Sequence, residues 1–99
     1  MANNLNTNPV YIDTFGSDVT VSTDQVVISC VTVVETNNTA ARYVTFIDNN
    51  ANVVLRVPVA QNDMNIWGPI KPFRFTNGFI YDESASTVAN NDIILVFKE

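Results

Sequence analysis

Ninety-nine residues are enough for one domain and leave no room for a second core. Only 15% of the residues are charged, and the net charge of −5 argues against a nucleic-acid partner, which would require a basic surface. The chain has one cysteine and no histidine, so the common catalytic triads and zinc sites are excluded. We therefore expect a protein that is not an enzyme and has no cofactor and no metal.

The first eight residues are polar and Asn-rich, which predicts an N-terminal arm (1–8) followed by a single domain (9–99). Leu5 is the large apolar side chain of the arm after Met1, so we expect the arm to lie against a partner chain or against its own domain. The arm lacks the basic start and apolar core of a signal peptide, and no apolar run reaches the roughly 20 residues of a membrane span. We therefore expect no membrane partner.

Fifteen valines and a scarcity of good helix formers favour strands along the whole domain. Short β-branched segments recur at regular spacing with Asn, Asp and Gly between them, which is typical of an antiparallel two-sheet protein. We predict an all-β fold: one small, jelly-roll-like β-sandwich of eight or nine short antiparallel strands with no substantial helix. The predicted strands are 9–14, 19–22, 26–35, 42–47, 53–60, 64–67, 92–98 and the two arms of the segment 72–82.

The strands 42–47 and 53–60 are predicted to form a hairpin whose turn is Asp48–Asn52. This turn copies the beginning of a calcium loop, but Val53 and Val59 stand where that loop needs Gly and Glu, so a simple Asn-rich turn is favoured. Pro58 cannot donate to a β-ladder, which places its strand at a sheet edge or a bulge.

The dipeptide Asn77-Gly78 between two aromatic runs indicates a tight turn. In a two-residue hairpin, the favoured interpretation, Phe79 and Tyr81 lie on the opposite face from Phe73 and Phe75 and are available to a neighbouring subunit. If one strand instead continues through a bulge, all four aromatic side chains can point inward.

The strands 26–34 and 93–97 are apolar on both faces, so one outer sheet face is predicted to be covered by another subunit, or else by the loop 61–71. Strict alternation places Val27, Val31 and Val33 outside and makes Cys30 a buried, inert thiol. The complete candidate interface comprises Leu5, Val27, Val31, Val33, Trp67, Phe79, Tyr81, Ile94 and Val96.

The aromatic residues Trp67, Tyr11, Tyr43 and Tyr81 offer a second hypothesis, a platform for a sugar ring. The favoured alternative is that these rings are anchors of the core or of an interface.

The segment Phe75-Thr76-Asn77-Gly78-Phe79-Ile80-Tyr81-Asp82, the polar loop after it and the terminal strand Asp92–Phe97 resemble small virion structural proteins of tailed bacteriophages. The resemblance covers residues 42–97. It implies a non-enzymatic β-sandwich made in the host cytoplasm that acts as a capsid decoration (cement) protein on the outer surface of the head, often as a trimer, bound to the major capsid or another virion protein. A component of the neck or tail, or a carbohydrate- or receptor-binding module, is the alternative.

Overall fold

In the computed structural model, which describes residues 3–99, nine strands form two antiparallel sheets. No helix among these residues is long and apolar enough to span a membrane, and the helical structure is one 3₁₀ turn at Glu83–Ala85. The strands are β1 (Val10–Ile12), β2 (Val19–Ser22), β3 (Val26–Val34), β4 (Arg42–Ile47), β5 (Val53–Val59), β6 (Met64–Trp67), β7 (Phe73–Phe75), β8 (Phe79–Tyr81) and β9 (Ile93–Lys98).

The larger sheet has the order β1-β9-β3-β6, with β7 also paired to β3, and the smaller sheet has the order β2-β8-β4-β5. The chain passes repeatedly between the sheets, and its first and last strands are neighbours, which is the arrangement of a jelly roll. The predicted all-β, jelly-roll-like sandwich is therefore confirmed. The predicted hairpin of β4 and β5 is confirmed as well, and Pro58 lies on β5, an edge strand of the smaller sheet.

The core between the sheets is built from branched aliphatic side chains around a cluster of aromatic rings. The rings of Phe46 and Phe79 stack with their centroids 4.3 Å apart, and Tyr81 meets Phe46 edge-on at 6.5 Å. All three side chains are fully buried. Phe79 and Tyr81 are therefore core residues, and the prediction that they are available to a neighbouring subunit is wrong.

A β-bulge in β3 reverses the predicted faces of the part of this strand that follows it. Ile28 pairs with Lys98 and Cys30 pairs with Phe97, so Ser29 is the extra residue, and its hydroxyl donates to the Phe97 carbonyl at 3.0 Å. Val27 lies before the bulge and keeps its predicted outward position, opposite Arg74. After the bulge the phase changes. Val31 and Val33 consequently lie in the core with no exposed surface, and the half-buried Cys30 lies on the outer face.

The terminal strand β9 also has the opposite phase to the predicted one. Ile94 and Val96 are fully buried in the core, so their predicted outer positions are wrong. The alternate residues Ile93, Leu95 and Phe97 point outward instead. Together with their neighbours on β1, β3 and β6 they form what we call the apolar outer face of the larger sheet: Tyr11, Cys30, Thr32, Val34, Met64, Ile66, Ile93, Leu95 and Phe97.

The Asn77-Gly78 dipeptide does not close a hairpin. The strand before it, β7, pairs with β3 in the larger sheet, and the strand after it, β8, pairs with β2 and β4 in the smaller sheet. The dipeptide is thus the corner at which the chain changes sheets. Phe75 lies inward like Phe79 and Tyr81, as the bulge alternative required, whereas Phe73 remains 53% exposed at the open side of the sandwich.

Residues 3–8 of the arm lie along β1 of their own domain, and residues 1 and 2 are outside the described part of the chain. The main chains of Asn4 and Tyr11 exchange two hydrogen bonds at 2.8 and 2.9 Å. The Asn8 side chain replaces a strand partner by donating to the Lys98 carbonyl and accepting from its N–H, both at 2.8 Å. Leu5 is 37% exposed.

Candidate functional site

An open cleft of about 290 Å³ lies at the corner where the chain leaves the larger sheet. One wall is β7 and the turn Thr76–Gly78, and the other is formed by Asp48 and Val54 at the β4–β5 hairpin. We call it the Phe73 cleft. Its size is at the lower end of the range for small-molecule sites in proteins.

The Phe73 ring supplies the apolar surface of this cleft. Because it lies at the end of the sheet, the smaller sheet covers only part of it, and 53% of the residue is exposed. Its position is fixed from behind by Phe75 at 4.9 Å and Trp67 at 6.4 Å between ring centroids. The ring is therefore held in place while it still offers surface to a ligand.

Arg74 is an exposed cation on the rim of the same cleft. Among residues 3–99, no side chain forms an ion pair or a hydrogen bond with the Arg74 guanidinium. The ion pair of this part of the chain joins Arg42 to Asp92 instead. A guanidinium has five donors in a planar fork, which matches two neighbouring oxygen atoms. Arg74 alternates with Phe73 along β7 and lies opposite the outward Val27, so its long side chain reaches a ligand beside Phe73 by folding over the rim of the cleft.

Asp48 places a carboxylate on the opposite wall. Its Oδ1 accepts the main-chain N–H groups of Asn50 and Asn52, both at 2.9 Å, and this turn requires the positive φ of 61° at Ala51. The hydrogen bond from Asn52 is the main cause that lowers the pKa of Asp48, although partial burial opposes it. Asp48 is therefore ionised at neutral pH; its Oδ2 accepts from the Asn52 side-chain amide at 3.3 Å and keeps a further lone pair for a ligand in the cleft.

The two walls are joined by Asn49, which fixes the shape of the cleft. Its main-chain N–H donates to the Asn77 carbonyl at 2.8 Å, and its side-chain amide donates to the Thr23 carbonyl at 2.8 Å and to Asn77 Oδ1 at 3.2 Å. Gly78 has a φ of 89°, and a Cβ atom there would lie 2.6 Å from Asn49 Oδ1. Only glycine allows this close approach.

The calcium-loop pattern of this turn has a structural explanation, because the Asp48 carboxylate caps its own turn. The residues that the structure describes contain no group of three or more His, Cys, Asp or Glu side chains that could hold a metal ion.

A second open cleft, of about 600 Å³, lies beside β5 and the beginning of β6. It contains Tyr43, but the guanidinium of Arg56 lies 4.0 Å from the centre of that ring. Asn65 also lines the cleft, and its amide is engaged by the Pro58 carbonyl at 2.7 Å. One face of the Tyr43 ring is therefore already covered by a cation of this chain, and the Phe73 cleft is the better candidate.

Two buried carboxylates act as structural clamps rather than as a catalytic pair. Glu35 is 1% exposed and accepts the main-chain N–H groups of Asn38 and Asn62, both at 2.8 Å, and of Thr39 at 3.3 Å. Burial alone would raise the pKa of Glu35, but these hydrogen bonds outweigh it and lower the pKa. Asp92 is fully buried and accepts from Thr36 and Ala89 N–H groups.

The structure separates the four rings of the predicted sugar platform. Tyr81 is in the core, where burial and the hydrogen bond from its hydroxyl to Glu83 raise its pKa. Tyr11 lies on the apolar outer face and Tyr43 lies under Arg56. Trp67 alone is near the Phe73 cleft, as a half-buried support. The ring that does line the cleft, Phe73, was not among the predicted site residues.

Of the nine predicted interface residues, three keep some exposed surface: Leu5, Val27 and Trp67. The other six are core residues. Val31 and Val33 are buried because of the bulge in β3, Ile94 and Val96 because of the opposite phase of β9, and Phe79 and Tyr81 because the chain changes sheets at the Asn77-Gly78 corner. No partner chain tests the interface itself, which remains a prediction.

Neither the family models nor the curated proteins include a match to this chain. Among solved structures, the fold is similar to that of a fucose-binding module from Streptococcus pneumoniae, with a TM-score of 0.50 and 16% sequence identity. The similar region covers 97% of this chain and 77% of that one. At this identity the similarity shows a shared β-sandwich fold.

Proposed function

We propose that this protein is a carbohydrate-binding module whose ligand lies in the Phe73 cleft. The observation that carries the proposal is the combination of a half-exposed, rigidly supported aromatic ring with a guanidinium that has no partner among the described residues. The similarity in fold to a fucose-binding module supports the same function.

The chemistry of the cleft suits a sugar better than most other small ligands. A sugar ring has one face of C–H groups, which packs against an aromatic ring, and an edge of hydroxyl groups, each of which can both donate and accept. Phe73 would receive the apolar face. Arg74 would donate to two adjacent hydroxyl oxygens, and the ionised Asp48 would accept a hydrogen bond from a hydroxyl group at the other wall.

We expect the affinity for a single sugar to be low. The cleft is shallow and open, and one ring contact with a few hydrogen bonds gives about −4 to −5.5 kcal/mol, which corresponds to a Kd of about 0.1 to 1 mM. Useful affinity would then come from several copies that bind a multivalent glycan surface.

The test is a glycan-array screen of the whole chain, followed by calorimetric titration of the best ligand and of free L-fucose. Arg74→Gln should weaken binding about 10- to 100-fold, since hydrogen bonds to a charged group contribute about 1.5–3 kcal/mol. Phe73→Leu, which keeps apolar bulk but removes the ring, should weaken it about threefold to tenfold.

Two matched variants serve as controls. Lys71→Gln removes an exposed cation, and Ile70→Ala shortens an exposed apolar side chain, and neither residue lines the cleft. Both should leave the Kd unchanged. If no glycan on the array binds saturably, the proposed function is contradicted. If a glycan binds but its Kd is unchanged by Phe73→Leu and Arg74→Gln, the binding site lies elsewhere on the protein.

A structural subunit of a bacteriophage particle is the second candidate, because the larger sheet carries an apolar outer face on a small domain. Such a face commonly marks a contact with another protein. In a decoration protein it would bind the assembled head and stabilise it by mass action. Copies of this protein at symmetric positions in an image of the particle would support this candidate, and a failure to bind assembled heads would count against it.

A further inference from the structure

We infer that the corner Asn77-Gly78 is a site of spontaneous covalent modification, at which the Asn77 side chain loses ammonia and the Phe73 cleft gains a second carboxylate. The reaction does not depend on carbohydrate binding, whereas its effect on ligand affinity rests on the proposed function.

The reaction joins the side chain of Asn77 to the main chain of the next residue, which is close by construction. The Gly78 nitrogen attacks Cγ of Asn77, a bond forms between these two atoms, and the bond from Cγ to Nδ2 breaks. The proton of the Gly78 nitrogen leaves with Nδ2 as ammonia, and a five-membered succinimide ring remains. Water then opens the ring to an aspartate or to an isoaspartate, whose main chain runs through Cγ. Water is the co-reactant, and nothing is oxidised or reduced.

Glycine at position 78 distinguishes Asn77 from the other asparagines. The chain has 14 asparagines, and each of the others precedes a residue that carries a Cβ atom. A side chain on the following residue hinders the approach of its nitrogen to Cγ, and glycine removes this obstacle. We therefore expect Asn77 to react before any other asparagine of the chain.

Asn49 restrains this reaction in the folded chain. Its main-chain N–H donates to the Asn77 carbonyl at 2.8 Å, and its side-chain amide donates to Asn77 Oδ1 at 3.2 Å. Closure of the ring changes the torsion angles between these two oxygens, and the two hydrogen bonds oppose that change. The reaction should therefore proceed from molecules in which the corner has opened locally, so its rate reports how firmly Asn49 holds the corner.

The product changes the charge of the Phe73 cleft. Asn77 and Asp48 both line it, and a hydrogen bond from the Asn77 side chain is one of the causes that lower the pKa of Asp48. Deamidation replaces this donor by a carboxylate, and two like charges in one cleft repel each other. An isoaspartate also displaces the carbonyl that accepts from Asn49, which loosens the joint between the walls. Either product should weaken the binding of a glycan in the cleft.

Incubation of the whole chain at mildly alkaline pH, followed by tandem mass spectrometry, tests the reaction. Position 77 should gain the mass difference between NH₂ and OH about tenfold faster than any other asparagine, because only its attacking neighbour lacks a side chain. Enzymatic methylation of isoaspartate should label the same position. Asn77→Gln keeps an amide but requires a larger ring, so it should abolish the change at this position.

A pair of variants in the β4–β5 turn tests the restraint. Asn49→Ala should accelerate the reaction about threefold to 30-fold, as expected for the loss of one or two hydrogen bonds. Asn50→Ala is the matched control, because it truncates the adjacent exposed asparagine and should leave the rate unchanged. A rate that Asn49→Ala leaves unchanged or lowers would overturn the restraint.

The whole inference would be overturned if position 77 were modified no faster than the other asparagines. Asn77→Asp reproduces the ordinary product and should weaken the binding of the best glycan about threefold or more, since a hydrogen-bond donor becomes a repelling charge. An unchanged Kd for this variant would overturn the effect on the cleft. Mass spectrometry detects the modification whether or not any glycan binds, so failure of this inference and failure of the proposed function give different results.

Discussion

Replacement of Gly78 by alanine tests the corner that shapes the Phe73 cleft. An alanine at the φ of 89° costs about 1–2 kcal/mol in backbone strain. Its Cβ would also lie 2.6 Å from Asn49 Oδ1, so the Asn49 side chain must leave the Thr23 and Asn77 oxygens that it contacts. Each lost hydrogen bond costs about 0.5–1.5 kcal/mol, so we expect a total of about 3 kcal/mol.

In a domain of this size, that loss corresponds to a decrease in Tm of about 12–24 °C. Chemical denaturation of Gly78→Ala, Asn49→Ala and the double variant separates the two contributions. With Asn49 truncated, the clash disappears, and Gly78→Ala should cost only the strain of about 1–2 kcal/mol. The coupling between the two positions should therefore be about 1–3 kcal/mol.

Gly68→Ala is the matched control, because its φ is not positive and the nearest atom to the added Cβ would be 4.0 Å away. We expect its free energy of unfolding to stay within about 0.5 kcal/mol of the wild type. The reasoning would be refuted if Gly78→Ala cost less than about 1 kcal/mol, or if its cost were the same with and without the Asn49 side chain.

Two further predictions concern the clamp at Glu35 and the aromatic core. The pKa of Glu35 in the folded chain lies below its ordinary value of 4.5, so its contribution to stability is present above that pH and is lost as the pH falls through the folded pKa. Glu35→Gln should therefore lower the Tm at pH 7, and this decrease should disappear in acid. Asp24→Asn in an exposed loop is the control and should change the Tm little at either pH. A decrease in Tm for Glu35→Gln that is the same at both pH values would contradict this. Phe46→Ala should destabilise the domain by about 3–5 kcal/mol in urea, because it opens a cavity beside Phe79; a loss under about 1.5 kcal/mol would mean that the stacked rings do not form the centre of the core.

The positions of the strands could be predicted because local signals suffice for them. The β-branched run before the Thr23–Gln25 turn predicted 19–22, and β2 has those bounds. The turn Asp48–Asn52 predicted the β4–β5 hairpin for the same reason, since an Asp side chain that caps its own turn needs no distant partner.

The faces of the central strands could not be predicted from alternation alone. Ser29 gave no sign that it would be an extra residue, because the bulge depends on the register of β3 against β9, some 68 positions away in the sequence. Both faces of these strands are apolar, so hydrophobicity did not reveal the error. The prediction that an outer face is apolar remains, but its residues on β9 are Ile93, Leu95 and Phe97 rather than Ile94 and Val96.

The candidate site was missed for a similar reason. Asn77-Gly78 marked a turn, but a tight turn serves equally well to close a hairpin or to carry the chain between two sheets. At this corner the side chain of Asn49, a distant residue, donates to Asn77 and occupies the space beside Gly78, which no local pattern reveals. Since the corner sets which aromatic rings are buried, the exposure of Phe73 follows from it and could not be inferred locally.

The most direct test of carbohydrate binding at the Phe73 cleft is a titration of the isotope-labelled chain with its best glycan, followed by amide chemical shifts. We predict saturable shifts that concentrate at residues 73–78 and at Asp48. Shifts that concentrate instead at Tyr43 and Arg56, or on the apolar outer face, or no shifts at all with any glycan, would contradict the account.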